Sequence, residues 1–292
     1  SGKPLGDFGA IDASGMQNPE LSPDGRRVAV DRLVQGNRDV WLLDGARMTR
    51  LTFDPSVDQF PIWSPDGTRI VFQTNREATL DIYEKPASGG TETMVVESSQ
   101  VKLPHSLSSD GRFLLYHNID PGAGRDLWVL PMNGDRKPRV FLKTNFDERW
   151  SQFSPDGQWV VYQSNESGRD EVYVRSFPDL EREWRVSVAG GRLPHWRADG
   201  RELVFLGGAN NERSIWAAAI TATPAGLTVG EDPTRVEAIT AKLRRAAGTS
   251  GPGGVFTLAL SAVDMACWDL KGKALGQPVC ALLGGLRDRV PT

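Results

Sequence analysis

A β-propeller of four-stranded blades, mostly β in content and followed by a C-terminal α-helical appendage, is the fold class this sequence predicts. Three observations predict it. One short phrase recurs five times, as LSPDG at 21–25, WSPDG at 63–67, LSSDG at 107–111, FSPDG at 153–157 and WRADG at 196–200. The closing glycines lie 42, 44, 46 and 43 residues apart, a period at which one repeat makes one blade. An aromatic then follows at a nearly fixed place: Trp41, Tyr83, Trp128, Tyr173 and Trp216 stand 16 or 17 residues past the glycine of their own repeat.

Within each repeat the elements follow in order. The phrase itself is a tight turn, because Asp accepts from nearby amides and Gly supplies positive φ. Asp24, Asp66, Asp110, Asp156 and Asp199 are therefore expected to be scaffold and not a carboxylate array. The text after each turn (RRVAVDR, TRIVFQT, RFLLYHN, QWVVYQS, RELVFLG) alternates at period two, as strands do in a sheet flanked on both faces. The strand carrying the aromatic comes next, with Trp41, Trp128 and Trp216 expected to pack between blades. A more polar strand closes the unit, as in TRLTF (49–53) and EWRVSV (183–188). Counting the strand that enters the turn, each unit has four.

The character changes near residue 231, so two domains are expected, 1–230 and 231–292. Asp232 and Pro233 sit where an N-cap and a first-turn proline belong, and the segment ends on basic residues and Gly248. A second helix is predicted from Phe256, Leu260, Val263, Cys267 and Leu270, spaced by four, three, four and three, with Ala259, Ala262 and Ala266 opposite. A short third helix is expected over 278–285. So apolar a tail must be buried on something, and a homodimer through it is one reading.

Bulk properties narrow the function classes. The 292 residues carry a net charge of −3 and a pI of about 5.7, which favours neither nucleic acid nor an anionic membrane as partner. No stretch approaches the roughly 18 apolar residues of a spanning helix. The start SGKPLGDFG is not expected to be a signal peptide, so a cytoplasmic location is the default expectation. Cys267 and Cys280 form neither a disulfide framework across the repeats nor a CxxC clip. No Walker loop, dinucleotide fingerprint, HExxH or G-x-S-x-G elbow occurs.

The candidate site lies on the first strand of each repeat, which in a propeller is innermost and lines the tunnel. His105 (KLPHS) and His195 (RLPHW) are on such strands, with Glu20, Asp58, Asp147 and Glu148 expected near the tunnel mouths. His117, in LLYHN, looks like an edge residue. Imidazoles and carboxylates converging on a polar channel could hold a divalent metal ion that acidifies water or polarises an ester. The plainer reading is that both tunnel histidines hydrogen-bond water and backbone, and it is preferred because spacing cannot show convergence. No other cofactor is expected.

Residues 1–230 resemble the TolB-like propeller found as the sensor portion of some bacterial serine/threonine protein kinases. The text that carries the resemblance includes SGKPLGDFG, NPELSPDGRRVAVDR, IWSPDGTRIVF, FSPDGQWVVYQSNESGRDEVYVRSFP and GGRLPHWRADGRELVF. The resemblance implies a module that binds a small molecule or a protein at its tunnel face and does not catalyse. Such propellers usually have six blades. With five repeats here, the strand KPLGDFGAI (3–11) is expected to close the ring and cover an otherwise open sheet edge.

Residues 231–292 resemble something unrelated, the mandelate racemase/muconate-lactonizing branch of the enolase superfamily, on GPGGVFTLALSAVDMACWDLKGKALGQPVCALLGGLRDRVPT. There this text forms capping-domain helices, and the chemistry comes from a lysine base and magnesium-holding carboxylates on later barrel strands. None of those positions falls within 1–292, and Asp264 and Asp269 belong to the helix. Racemase or lactonizing activity is therefore not expected. The two resemblances meet near Gly230, and the whole reads as a chimera, recombinant or joined from environmental DNA. The leading function is a non-catalytic binding propeller. The alternative is a promiscuous metal-assisted hydrolase of esters, lactones or phosphotriesters working at the tunnel.

Overall fold

The recurring phrase builds the same turn each time. In the first repeat Gly25 N donates to the carbonyl of Ser22 (2.8 Å), and the Ser22 hydroxyl donates to Asp24 Oδ1 (2.6 Å) while accepting from Arg27 N (2.8 Å). Asp24 Oδ1 also accepts from Arg26 N at 3.1 Å. Ser64–Asp66, Ser108–Asp110 and Ser154–Asp156 repeat the arrangement. In the fifth turn Arg197 replaces the serine and bonds Asp199 through its guanidinium. These bonds to the ionised form hold Asp66 and Asp110 down to about 2, with the serine hydroxyl the largest cause. The aspartates are scaffold, as expected. Asp66→Ala, which removes an acceptor for Ser64, Thr68 N and Thr68 Oγ1, is expected to cost about 1–2 kcal/mol, read from the urea midpoint.

The computed structural model describes residues 15–77, 79–120, 124–207, 214–223 and 226–230. These are all strand and turn. The first sheet joins β1 (Met16–Leu21), β2 (Arg27–Val34), β3 (Asn37–Asp44) and β4 (Arg47–Arg50) in that order, antiparallel throughout. The second repeats it with β5 (Asp58–Trp63), β6 (Arg69–Thr74), β7 (Asp81–Pro86) and β8 (Thr93–Val96). The third uses β9 (Val101–Leu107), β10 (Phe113–Asp120), β11 (Gly124–Pro131) and β12 (Arg139–Leu142). The fourth is β13 (Arg149–Phe153), β14 (Trp159–Ser164), β15 (Glu171–Ser176) and β16 (Glu183–Arg185). The fifth is β17 (Gly191–Trp196), β18 (Glu202–Gly207), β19 (Ser214–Thr223) and β20 (Gly226–Gly230).

The closing strands end earlier than TRLTF and EWRVSV suggested and are shorter. Past β4 the pairing continues irregularly: Leu51 N bonds Val40 O (2.8 Å), and the Thr52 hydroxyl accepts from Val40 N (2.9 Å) in place of a carbonyl. Ser187 does the same for Val172 N past β16.

The second, third and fourth blades are each covered by a neighbour on either side, so their strands are buried on both faces and not on one. In β10 Leu114 and Tyr116 join the core shared with the second sheet, while Leu115 joins the core shared with the fourth. Every residue of β14 is buried. The period-two alternation thus divides residues between two dry faces, as flanked sheets require. Trp128 packs on the core between the second and third sheets. The chain divides into two compact units, Ser1–Trp216 and Ala217–Thr292. Among the described residues no helix is long and apolar enough to cross a membrane. The expected closing strand at 3–11, the helical appendage and any dimer contact through it lie outside the described residues.

Candidate functional site

The first strands of consecutive sheets approach one another, β1 to β5, β5 to β9, β9 to β13 and β13 to β17. They enclose a cavity of about 570 Å³ lined by residues 18–20, 60–63, 104–107, 150–152 and 193–195, so all five innermost strands contribute. A bulge interrupts each of these strands at this depth. At the bulge Asn18, Phe60, Trp150 and Leu193 take φ of 49°, 53°, 52° and 50°. Left-handed backbone is costly for bulky residues and persists only where surroundings impose it. In the third blade the equivalent residue is Pro104, whose ring forbids positive φ. Phe60 and Trp150, two blades apart, meet with ring centroids 6.3 Å apart, and the His105 ring stacks on Trp150 at 5.9 Å.

What holds these bulges is a second repeated position, six residues past the turn glycine: Asp31, Gln73, His117 and Gln163. Asp31 Oδ1 accepts from Phe60 N (3.3 Å) and Gln163 Oε1 accepts from Leu193 N (3.2 Å), each tying its blade to the next. Gln73 Nε2 donates to the carbonyl of Lys102 in the next blade. In the third blade two histidines span the same gap. Ser151 N donates to His105 Nδ1 (3.1 Å), so that nitrogen is unprotonated, and the ring proton sits on Nε2. Nε2 in turn donates to His117 Nδ1 at 2.9 Å. Burial pushes His105 well below its ordinary value, with the neighbouring His117 adding to it. Burial likewise takes His117 down to about 3, helped by Arg125 and Arg149. Both rings are neutral links in the scaffold. His117 is thus no edge residue: its side chain is buried, and its role was hidden because its partner lies on another strand.

The expected site residues separate into two groups. Glu20, His105 and His195 line the cavity. Asp58, Asp147 and Glu148 do not. Asp58 is buried beneath Arg76, whose guanidinium donates to its Oδ2 at 2.9 Å. Asp147 accepts from the backbone N (3.1 Å) and guanidinium (2.9 Å) of Arg125. Glu148 Oε1 accepts from Thr144 (2.6 Å) and Ser164 (3.3 Å). A divalent ion would need a third donor beside Glu20 and His195, and His105 has both ring nitrogens committed. Among the described residues no group of three or more His, Cys, Asp or Glu is arranged to hold a metal. The described residues of the cavity do not fit a metal centre.

Two further polar tunnel residues also serve the scaffold. Ser106 Oγ accepts from Phe153 N (3.2 Å) and Gln152 Oε1 from Trp196 N (2.8 Å), again blade to blade. Glu20 and His195 stand at the same repeat position as Ser106 and Gln152, two residues before the turn. Desolvation raises Glu20 to about 7 and lowers His195, although His195 keeps an exposed face toward the cavity.

Sequence reasoning missed one repeated feature, an acid two residues before the strand aromatic in the first four blades. Asp39, Asp81, Asp126 and Glu171 are all buried, and each has its own cation: Arg50, Lys102, Lys143 and Arg185. The signal was present as DVW, DIY, DLW and EVY.

Comparison with known proteins accords with this architecture. Residues 11–125 match the TolB beta propeller domain family. This stretch is a TolB-type propeller segment. A separate stretch, 202–284, matches the mandelate racemase / muconate lactonizing enzyme, N-terminal domain. Among solved structures the chain is similar to a TolB from Agrobacterium tumefaciens, with 18% identity, a TM-score of 0.63, and coverage of 75% of this chain and 81% of that one. It is also similar to an oligogalacturonate lyase in complex with manganese (16% identity, TM-score 0.54), covering 72% and 63%. At those identities the likeness is one of fold. A curated relative, the D-galactonate dehydratase of Xanthomonas axonopodis pv. citri (strain 306), is 49% identical over 69 residues, 23% of this chain. The match spans only 18% of that enzyme's length.

Proposed function

We propose that the TolB-type part of this chain is a non-catalytic binding module that takes a small molecule or a protein partner at its tunnel cavity. One observation carries the reading: the groups in the cavity that could do chemistry are mostly spent holding blades together. His105 accepts from Ser151, and Ser106 and Gln152 accept from the next blade, while a cavity of about 570 Å³ with aromatic walls remains. Pockets of this size and lining suit a compact ligand. The fold itself hosts both binders and enzymes, so the site must decide. A match to 18% of a dehydratase carries none of that enzyme's chemistry here. We read the two unrelated family segments as a fusion.

The test is a ligand panel followed by thermal shift and tryptophan fluorescence. Ligands that raise the melting temperature are expected to lose at least tenfold in affinity in Leu193→Arg, which fills the cavity from an exposed position. A panel of a nitrophenyl ester, a lactone and a phosphotriester is expected to show no turnover above buffer. Turnover abolished by chelator and by His195→Ala would overturn the reading and restore the metal-assisted hydrolase.

A further inference from the structure

We infer that the cavity's ligand is an organic cation, an ammonium carried on a compact apolar or aromatic body, with the charge seated on Glu20. This rests on the reading of the cavity as a binding site and names what it takes. The argument starts from the wall. Phe60, Trp150, Ile62 and Leu193 supply apolar and aromatic surface from three blades, with Phe60 and Trp150 turned to each other across the axis. Such faces carry negative quadrupole potential and attract cations, more strongly as water is excluded.

Into this surroundings Glu20 brings a carboxylate. The equivalent residues of the third and fourth blades use their side-chain oxygens to tie down the next strand. Glu20 does not: the second blade is tied instead through Trp63 Nε1, which donates to the Glu20 backbone carbonyl at 3.1 Å. No described residue hydrogen-bonds or ion-pairs with the Glu20 carboxylate. A carboxylate left without partner in a partly enclosed cavity is incompletely solvated, and a charged donor recovers that cost. Its elevated pKa of about 7 reflects the same uncompensated burial. His195, the other uncommitted group, is exposed to the cavity and has its pKa lowered by desolvation there, so at pH 7.5 it brings no competing positive charge. An anionic ligand finds no cation among the residues lining the cavity.

The experiment compares 2-phenylethylammonium with its neutral counterpart 2-phenylethanol, in phosphate buffer at pH 7.5 to avoid amine buffers, by tryptophan fluorescence and calorimetry on the full chain. The ammonium is expected to bind at least tenfold more tightly. In Glu20→Gln the preference is expected to fall to within about twofold, while 2-phenylethanol affinity is unchanged, which also shows the variant is folded. Equal affinities in the native chain, or a tenfold preference that survives in Glu20→Gln, overturn the inference while leaving a tunnel binding site. Binding of neither compound overturns it too. The broader ligand panel then decides whether the binding-module reading falls with it.

Discussion

Lys102→Ala is expected to destabilise the propeller by about 3–5 kcal/mol, among the largest effects of any single substitution in the described blades. The Lys102 side chain has no solvent exposure, and Asp81 has almost none. Its three N–H donors are all used: on Asp81 Oδ1 at 2.5 Å, the Ser98 carbonyl at 2.9 Å and the Gln100 carbonyl at 2.7 Å. Asp81 accepts in addition from Thr79 Oγ1 at 2.9 Å. Removing the ammonium strands a buried carboxylate and two carbonyls together, and that uncompensated burial is the cost. The double variant Lys102→Met, Asp81→Leu is expected to recover most of it, since a dry pair replaces a charged one. Urea unfolding of the three proteins checks both statements. A loss below about 1 kcal/mol in Lys102→Ala would mean that water reaches Asp81 and the pair is not sealed.

The blade count and the turns were legible because each residue of the recurring phrase has a local task. Serine caps the next strand's amide, aspartate accepts from serine, and glycine takes positive φ, all within five residues. The inter-blade links were not legible, because each partner lies in another repeat. Asp31 reaches Phe60 at 29 residues' separation, and His105 reaches Ser151 at 46. Residue type varies at the linking position from Asp to Gln to His, since any acceptor or donor of suitable length closes the gap. A histidine there looks like a catalytic candidate only while its neighbours are unknown.

The same geometry explains which candidate residues survive as functional ones. Polar side chains on the inner strands are needed because bulged backbone exposes amides that the sheet does not satisfy. Most tunnel polarity is consumed by that need. Asp58, Asp147 and Glu148 lie outside the cavity, where an arginine or hydroxyl partner holds each of them. Glu20 and His195 are what is left over, and a ligand reading has to rest on them.

Glu148 makes stability depend on pH in a direction opposite to a salt-bridged carboxylate. Its side chain is fully buried, Thr144 and Ser164 bond Oε1, and Oε2 has no partner among the described residues. Burial pushes its pKa up to about 7 from 4.5, against the lowering effect of the two hydroxyls. The folded chain therefore keeps a proton that the unfolded chain releases between those values. Stability is greatest below about 4.5 so far as this group is concerned, falls as pH rises to about 7, and stays low above it. The full swing is of order 3 kcal/mol. Glu148→Gln, which mimics the protonated form, is expected to flatten this slope and to be more stable than the native chain by about 1–3 kcal/mol at pH 8. At pH 5 the gap should shrink to less than about 1 kcal/mol, because the glutamate is then protonated in the fold and only its release in the unfolded chain remains. Glu20 titrates in the same direction but is only partly buried, so Glu20→Gln should move the curve less. Chemical denaturation at pH 5, 6.5 and 8 measures all three. A native chain whose stability rises from pH 5 to 8, with Glu148→Gln parallel to it, would show that Glu148 is ionised and partnered in the fold.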